Sequence, residues 1–333
     1  MDSTRASDVN RETRINEAVN LFQVTKRELG KRIVGQTALI EGLVMGVVAG
    51  GHVLLEGVPG LAKTLAIKTL AEVMGLDFRR IQFTPDLLPA DLIGTMVYRQ
   101  QTGEFLPRKG PVFSNFILAD EINRAPAKVQ SALLEAMAEN QVTIGENTFA
   151  LPDPFFVLAT QNPIDQEGTY SLPESQLDRF MVKLVVDYPT PEEELHILKV
   201  VAADRDDLPP LQRVLDTSGL MTIRRALSAI RLDEKIETYI VAIVHATREK
   251  DRRNFSFARF IEYGASPRAS IALYRLARVK ALFEGRGFVL PEDVKAVAPA
   301  VLRHRLVLSY EAEAEDMKVD DVVRILLSAV AIP

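Results

Sequence analysis

A glycine-containing loop between an apolar run and a helix-like segment is the first feature that suits chemistry on phosphates. The apolar run covers residues 52–56, and the loop that follows reads Gly57-Val58-Pro59-Gly60-Leu61-Ala62-Lys63-Thr64. Glycines let backbone N–H groups face a phosphate, and the start of the following helix favours anions. Lys63 can then contact the β- and γ-phosphates of ATP, and the Thr64 hydroxyl can ligate Mg²⁺. The loop therefore predicts a site for ATP and Mg²⁺.

Position 62 departs from the general phosphate-loop pattern, which has glycine directly before the lysine. Ala62 stands there, and it is expected to adopt helical geometry because alanine disfavours positive φ. A chance glycine turn is the competing interpretation. The strand-like run before the loop and the helical pattern after it favour the phosphate loop.

Two adjacent carboxylates close a second apolar run. Residues 116–119 are apolar, and Asp120 and Glu121 follow them directly. Because the carboxyl ends of central strands lie beside the phosphate loop in such sheets, Asp120 is expected to orient Mg²⁺ and Glu121 to polarise the attacking water. Alone, an Asp-Glu pair after a strand is usually a solvated loop. Its place downstream of the phosphate loop favours the catalytic interpretation.

Three further polar residues stand where they could complete this chemistry. Asn162 ends the next apolar run, and its amide could hold the lytic water, although Asn-Pro also favours a plain turn. Arg179 precedes the last apolar run and could stabilise transition-state charge in a neighbouring subunit. Arg268 opens a helical segment and could report the state of the nucleotide. For both arginines, a solvated helix-end charge remains the alternative.

The elements that must position these residues alternate between short apolar runs and helical patterns. The runs lie at residues 52–57, 78–83, 115–120, 155–162 and 181–187. Each is expected to be a strand buried on both faces of a mainly parallel sheet, which predicts a doubly wound α/β core. Residues 84–110 interrupt the alternation, as do residues 141–150, whose Gly145-centred pattern predicts a β-hairpin. Both stretches are expected to be insertions.

Helical patterns flank this core on both sides. The first 14 residues are polar, and an irregular terminus is expected before a helix that carries Ile15, Val19, Phe22 and Leu29. After Tyr188 the strand pattern stops, and apolar stripes predict helices to the end of the chain. The predicted domains are an N-terminal helical segment (1–30), an α/β nucleotide-binding core (31–190) and an all-α domain (191–333).

Composition excludes several classes of function. The chain has no cysteine, which rules out disulfides and thiolate chemistry, and its four histidines are too scattered to predict a metal site. A formal charge of −5 does not suggest a protein that lives on nucleic acid. No apolar run reaches the roughly 20 residues that span a bilayer, and the N-terminus lacks the apolar stretch of a signal peptide. A cytoplasmic location is therefore expected.

Taken together, these motifs resemble the MoxR-type AAA+ ATPases. The similarity extends from about residue 34 to about residue 308, and the segments that carry it, in order, are GVPGLAKT, ADEINRAP, ATQNP, LPESQLDRF and GASPRA. The resemblance implies an AAA+ P-loop core with a C-terminal helical lid, in which nucleotide lies between core, lid and a neighbouring subunit. A homo-oligomeric ring, usually a hexamer, is implied. Ala62 looks typical of this family.

The resemblance also implies roles for individual residues. Arg179 would be the arginine finger, Asn162 the first sensor and Arg268 the second sensor, acting in cis or in trans. Arg124 could also face a neighbouring subunit. The stretch 84–110 would be the insertion in the second core helix, and 141–150 the hairpin before the first sensor. The nucleotide would contact residues near the adenine and along the phosphate loop: Gly35, Gln36, Gly57, Val58, Pro59, Gly60, Leu61, Ala62, Lys63, Thr64, Leu65 and Asp120.

The function implied is chaperone-like remodelling, maturation or activation of a protein complex, including insertion of a metal cofactor. A protein with a von Willebrand factor A domain is an expected partner, and it would come from another polypeptide. A nucleic-acid motor is one alternative: residues 141–150 contain no lysine or arginine, but the insertion carries Arg99, Arg108 and Lys109, so this class is not eliminated. The ATPase subunit of a magnesium-chelatase-like complex is another. A non-hydrolysing scaffold is disfavoured because Lys63 and Glu121 are both present.

Overall fold

The computed structural model describes residues 2–57, 63–162, 170–202, 209–248 and 255–333. Of residues 2–10 and 200–202 it describes the backbone alone. Five residues of the predicted phosphate loop lie outside the described residues: Val58, Pro59, Gly60, Leu61 and Ala62.

The chain forms two compact units. The core unit comprises Thr25–Phe180 and Leu184–Thr217, and the lid unit comprises Met1–Val24, Met181–Lys183 and Ser218–Pro333. The domain bounds expected from the sequence, 1–30, 31–190 and 191–333, stay a prediction.

The strands, numbered in chain order, include the five that the apolar runs predict. They are β1 Val53–Gly57, β2 Phe78–Gln82, β3 Gly94–Arg99, β4 Glu104–Lys109, β5 Phe116–Asp120, β6 Gln141–Ile144, β7 Asn147–Ala150, β8 Phe156–Gln161, β9 Val182–Val186, β10 Ile261–Tyr263 and β11 Val307–Leu308. One sheet has the order β2-β5-β8-β1-β9. The β2–β5, β5–β8 and β8–β1 pairs are parallel, which confirms the predicted α/β core.

The sheet brings the carboxyl ends of four strands, β2, β5, β8 and β1, to one edge. The pairing of β5 with β2 sets Asp120 opposite Gln82, and the pairing of β8 with β1 sets Gln161 opposite Glu56. Polar residues that end neighbouring parallel strands therefore gather at this edge, where ligands bind in open α/β sheets. The buried strand residues behind them, such as Leu54 and Ile117, hold the edge in place.

The expectation that every strand is buried on both faces is wrong for β2. In this strand Ile81 is buried, whereas Arg79, Arg80 and Gln82 are exposed. The reason is the position of β2 at the end of the sheet, where β5 is its neighbour in the strand order. An edge strand keeps contact with water, so polar side chains are tolerated there.

The helices alternate with the strands through the core and then follow one another through the lid. They are α1 Asp2–Gly30, α2 Thr37–Ala49, α3 Lys63–Met74, α4 Pro89–Ile93, α5 Ala127–Glu139, α6 Glu174–Leu177, α7 Pro191–Ala202, α8 Thr217–Ser228, α9 Glu234–Ala246, α10 Pro267–Phe283, α11 Pro291–Leu302, α12 Tyr310–Ala314 and α13 Val319–Ala329. No helix in the described ranges is both long and apolar enough to span a bilayer.

The N-terminal helix begins earlier than expected. α1 starts at Asp2, so the expectation of an irregular terminus over the first 14 residues is wrong. Within the lid unit, Arg11 Nε donates to the carbonyl oxygen of Ala229 at 2.8 Å, and Arg11 Nη2 donates to that of Gly287. Ile15 is buried one helical turn further on. These contacts hold the polar start of the helix in place.

Two hairpins interrupt the core: β6–β7 confirms the hairpin predicted at 141–150, and β3–β4 lies within 84–110, where an insertion but no hairpin was predicted. β3 pairs antiparallel with β4, and β6 pairs antiparallel with β7. The turn between β6 and β7 contains Gly145 at φ 65°, a conformation that favours glycine. A Cβ at this position would lie 3.1 Å from Met96 Cγ, so the turn also packs close to the β3–β4 hairpin. On β3 and β4, Tyr98 and Phe105 stay exposed.

Apolar stripes pack the lid helices together. The α9 stripe predicted from the sequence is buried and consists of Ile236, Ile240, Ile243 and Val244. α10 buries Leu276 and Leu282 but leaves Ile271 exposed. α10 begins with Pro267 after Ser266, whose hydroxyl accepts from Arg268 N at 3.1 Å. This contact caps the helix start.

Candidate functional site

Lys63 lies where α3 begins, and its side chain folds back toward the end of β1. Its ammonium donates to the carbonyl oxygen of Gly57. A Cβ on Gly57 would lie 2.8 Å from the backbone oxygen of Val186, so only glycine fits this approach. Burial lowers the pKa of Lys63 below its ordinary value. Three negative charges oppose that shift, and they belong to Asp120, Glu121 and Glu56. Lys63 therefore shares one site with the carboxylates of Asp120 and Glu121.

Asp120 is the last residue of β5, and both of its carboxylate oxygens accept hydrogen bonds. Oδ1 accepts from the Thr160 hydroxyl at 2.7 Å. Oδ2 accepts from Arg80 Nε at 2.9 Å and from Arg80 Nη2 at 2.6 Å. The side chain of Asp120 is only 15% exposed, whereas that of Arg80 is 51% exposed. The carboxylate is thus held in one orientation from β8 and from β2.

Thr160 links the two carboxylate residues. It is buried in β8, donates its hydroxyl proton to Asp120 Oδ1, and accepts from the backbone N–H of Glu121 at 2.8 Å. A single hydroxyl can make both bonds because it is a donor and an acceptor. Thr160 therefore fixes the carboxylate of one residue and the backbone of the next.

Glu121 adopts an unusual backbone conformation directly after β5. Its φ of 56° and ψ of 52° lie in the left-handed region, which a residue with a Cβ seldom occupies. Its carboxylate accepts from Gln82 Nε2 at 2.9 Å and from Arg124 Nη1 at 3.1 Å. Strained residues held by their surroundings cluster at functional sites. This conformation supports a functional role for Glu121.

The loop after Glu121 is held by a buried glutamine on α5. Gln130 Nε2 lies 3.1 Å from the backbone oxygens of Ile122, Ala125 and Tyr170. The backbone N–H of Tyr170 donates to the carbonyl oxygen of Asn123 at 2.6 Å. These contacts tie the turn that carries Glu121 to the helix behind it.

The donor set of the site fits Mg²⁺ and a triphosphate. Thr64 is half-buried at the second position of α3, and Asp120 supplies carboxylate oxygen. Mg²⁺ prefers such oxygen ligands and keeps several waters beside a bound phosphate. Lys63 supplies a cation and the start of α3 a favourable field for anions. The residues present therefore match the cofactor that the sequence predicts, through Thr64, Asp120 and Lys63.

Two more predicted residues lie in the core unit. Asn162 directly follows β8, the strand between β5 and β1, so its backbone lies at the same sheet edge as Asp120. Arg179 is exposed after α6, and its Nη1 donates to the carbonyl oxygen of Leu134 at 2.8 Å. Arg124, which could also face a neighbouring subunit, forms an ion pair with Glu121 of its own chain.

The other predicted residues lie at helix starts. Gly35, at φ 74°, and Gln36 precede α2, and a Cβ on Gly35 would meet the side chain of Glu193 near the start of α7. Leu65 is exposed in the first turn of α3. Arg268 lies in the first turn of α10 and belongs to the lid unit. Its role toward a nucleotide in the core unit stays a prediction.

Comparison with known proteins places this site in a family. Residues 52–182 match the ATPase family associated with various cellular activities (AAA), and residues 257–326 match the AAA lid domain. The chain is 49% identical over 307 residues to Chaperone MoxR1 of Mycobacterium tuberculosis, covering 92% of this chain and 81% of the relative. The chain belongs to the MoxR family of AAA+ ATPases. This confirms the family and the fold expected from the motifs.

A second MoxR relative and a solved structure extend the likeness over nearly the whole chain. Protein MoxR of Methylorubrum extorquens is 32% identical over 325 residues, which cover 92% of this chain and 94% of the relative. A crystal structure of a Cytophaga hutchinsonii protein matches with a TM-score of 0.90 and 48% identity, covering 100% of this chain and 99% of that one. The MoxR fold thus includes the AAA+ core, its parallel sheet and the helical lid.

Four residues of the MoxR site escaped the sequence analysis: Thr160, Gln130, Arg80 and Gln82. Thr160 stands in the quoted segment ATQNP, two residues before Asn162. From Arg80 onward, Arg80 and Gln82 alternate with Ile81 and Phe83 in the run FRRIQF. That period-two pattern is a signal for one polar face of a strand. The contacts of Thr160, Arg80 and Gln82 depend on strand order, which the apolar runs do not predict.

Proposed function

We propose that this MoxR-family chain hydrolyses Mg²⁺-ATP and uses the energy to remodel, mature or activate a protein complex. The observation that carries the proposal is the placement of Lys63 against Gly57 at the end of β1, and of Asp120 and Glu121 at the end of β5, in one sheet. A cation and two carboxylates at the carboxyl ends of β1 and β5 suit phosphoryl transfer, which depends on positioning and charge stabilisation.

Each residue has a distinct task in this proposal. Lys63 binds the β- and γ-phosphates, while Thr64 and Asp120 hold Mg²⁺, which when bound neutralises charge on the phosphates. Glu121 orients the water that attacks the γ-phosphate and accepts its proton. Asn162 supports that water. Thr160 and Gln130 are positioning residues, since they contact Asp120 and the loop after Glu121 rather than the nucleotide.

Assembly into a ring would complete the site. Arg179 is exposed and lies in the segment that resembles the arginine-finger motif, so a neighbouring subunit could receive it. Its Nη2 group is not used in the bond to Leu134, which involves Nη1. The contribution of Arg268, in cis or in trans, belongs to the same proposal. The hexameric state, a von Willebrand factor A domain partner, metal insertion and a cytoplasmic location stay predictions.

A protein client is favoured over nucleic acid by the two hairpins. Tyr98 and Phe105 are 52% and 63% exposed on the β3–β4 hairpin, where an apolar segment of a client could pack. The β6–β7 hairpin has no lysine or arginine. Lys109 at the end of β4 lies 4.7 Å from the ring centre of Phe113 and 5.2 Å from that of Phe149, so it serves the packing of the hairpins.

A Glu121→Gln variant tests the proposal. This variant should bind ATP, fail to hydrolyse it, and retain a protein client in affinity capture from a native extract. Glu139→Gln is the matched control, because Glu139 is an exposed residue at the end of α5, outside the site. Normal turnover by Glu121→Gln would contradict the catalytic role. Capture of no protein, together with salt-sensitive stimulation of the wild type by DNA, would contradict remodelling.

A further inference from the structure

Arg80 forms an ion pair with Asp120, whose carboxylate is expected to hold Mg²⁺. Two of its N–H groups reach the same oxygen of Asp120, from Nε at 2.9 Å and from Nη2 at 2.6 Å. Hydrogen bonds between ionised groups are shorter and stronger than neutral ones. Asp120 is mostly buried, and a buried charge is stabilised by a paired charge of opposite sign. In this arrangement Arg80 supplies that charge.

β2, the strand that carries Arg80, also contacts the carboxylate of Glu121. Arg80 Nη2 donates to Gln82 Oε1 at 2.9 Å, and Gln82 Nε2 donates to Glu121 Oε2 at 2.9 Å. Alternate residues of a strand share a face, so positions 80 and 82 form one polar row on β2. A continuous chain of hydrogen bonds therefore runs from Asp120 through β2 to Glu121.

Mg²⁺ and Arg80 require the same carboxylate. Asp120 Oδ1 accepts from Thr160, and Oδ2 accepts twice from Arg80. Mg²⁺ carries two positive charges and binds through carboxylate oxygen, directly or through its waters. Placing it beside Asp120 with Arg80 still attached would bring like charges together. One cation must give way when the other binds.

We propose that Arg80 is the resident counter-cation of Asp120 and that Mg²⁺-nucleotide must displace it, so that Arg80 sets the Mg²⁺ requirement of nucleotide binding. This inference rests on the proposed function. The exposed Arg80 side chain can move into water at small cost. Its release would also free Gln82, through which Glu121 is held. Filling of the Mg²⁺ site would thus loosen the resting contacts of the catalytic carboxylate.

A purely positioning role for Arg80 predicts the opposite sign. If Arg80 only orients Asp120 for Mg²⁺, its removal weakens the effect of Mg²⁺ on nucleotide binding. If Arg80 competes with Mg²⁺, its removal strengthens that effect. The two roles are therefore separated by one equilibrium measurement that does not involve turnover.

The test compares AMP-PNP binding by calorimetry in excess EDTA and in fixed Mg²⁺. The quantity of interest is the dissociation constant in EDTA divided by the dissociation constant in Mg²⁺. This ratio cancels any general effect of the lost charge on the phosphates. The variants are Arg80→Gln and Arg80→Lys. Arg79→Gln is the matched control, because Arg79 is exposed on the same strand and makes no ion pair within the described ranges.

Arg80→Gln should raise the ratio about threefold to tenfold over the wild type, the scale of a partly exposed charged contact. Arg80→Lys, which keeps the charge but loses the two-point contact, should give a smaller rise, and it serves as the test if Arg80→Gln fails to fold. Arg79→Gln should leave the ratio unchanged. An unchanged or lower ratio in the Arg80 variants would overturn the inference alone. Absence of AMP-PNP binding by the wild type would overturn the proposed function as well.

Discussion

The hydroxyl of Thr160 lies 2.7 Å from Asp120 Oδ1 and donates to it. The Thr160 hydroxyl oxygen also accepts from the backbone N–H of Glu121 at 2.8 Å. A residue on β8 therefore sets the geometry of two residues that end β5. Because Thr160 is almost fully buried, water cannot replace either bond without moving the strands apart.

Replacing Thr160 with valine should slow hydrolysis more than it weakens binding. Valine has nearly the same shape but cannot make either hydrogen bond, so Asp120 and Glu121 lose their common support. We expect the turnover number to fall about tenfold to a hundredfold, since small displacements of catalytic groups have effects of this size. The free energy of unfolding should fall by about 1–3 kcal/mol. Steady-state phosphate release and calorimetric ATP titration measure the two effects.

Thr160→Ser is the control for this prediction. Serine keeps the hydroxyl and loses a methyl group, so turnover should stay within about threefold of the wild type. Turnover by Thr160→Val equal to that of the serine variant would show that the hydroxyl does not position the two carboxylates.

The predictable part of the site lies at the ends of apolar runs. Lys63 follows one such run by a glycine loop, and Asp120 ends another. Once both runs are taken as strands of one parallel sheet, their ends must lie at one edge. The structure confirms both strands and places Lys63 against Gly57, at the end of the first. Local pattern and sheet geometry were sufficient here.

The part that could not be predicted depends on strand order. Arg80 meets Asp120 because β2 lies next to β5, although 40 residues separate them in the sequence. Thr160 meets Asp120 because β8 lies on the other side of β5. Apolar runs alone do not say which strand is central and which is at the edge. For the same reason, the exposure of β2 contradicted the expectation of a fully buried strand.

Loss of Arg179 should slow hydrolysis while ATP binding remains. The expected fall in turnover is about 10³-fold or more, the lower range for arginine fingers. Phosphate release by Arg179→Ala measures the rate, and calorimetry measures the binding. Thermal unfolding shows whether losing the hydrogen bond from Arg179 to Leu134 lowers the stability of the variant.

Mixing variants tests whether Arg179 acts on a neighbour. Lys63→Ala subunits keep Arg179, and Arg179→Ala subunits keep Lys63. In a mixed ring some sites therefore regain both residues, and activity should recover from two nearly inactive preparations. No recovery, with mixed assemblies demonstrated by tagged subunits, would contradict action in trans.

Buried His52 should make stability depend on pH. Its Nδ1 accepts from Val157 N at 3.1 Å, and its Nε2 lies 3.1 Å from the carbonyl oxygen of Met137, an arrangement for the neutral ring. Burial lowers the pKa of His52 from 6.5 to about 4. Between these values the unfolded chain binds the proton and the folded chain does not. Stability is therefore complete above pH 6.5 and is lost as the pH falls toward 4.

The expected contribution of His52 is about 3 kcal/mol over this pH window. Denaturant unfolding at about pH 7 and about pH 4.5 measures it in the wild type and in His52→Gln, which cannot titrate. The glutamine amide can donate to Met137 and accept from Val157. Carboxylates contribute equally to both proteins, so the variant should lose less stability than the wild type on acidification. Equal losses would show that the pKa of His52 is not shifted by folding.

The most direct test of the nucleotide site is calorimetric titration of Lys63→Ala with Mg²⁺-ATP. Lys68→Ala is the matched control, since Lys68 lies on the same helix, is 58% exposed and pairs with Glu72 at 3.8 Å. We predict that the wild type and Lys68→Ala bind ATP with equal affinity, and that Lys63→Ala gives no measurable heat. Unchanged affinity in a folded Lys63→Ala protein would contradict the account.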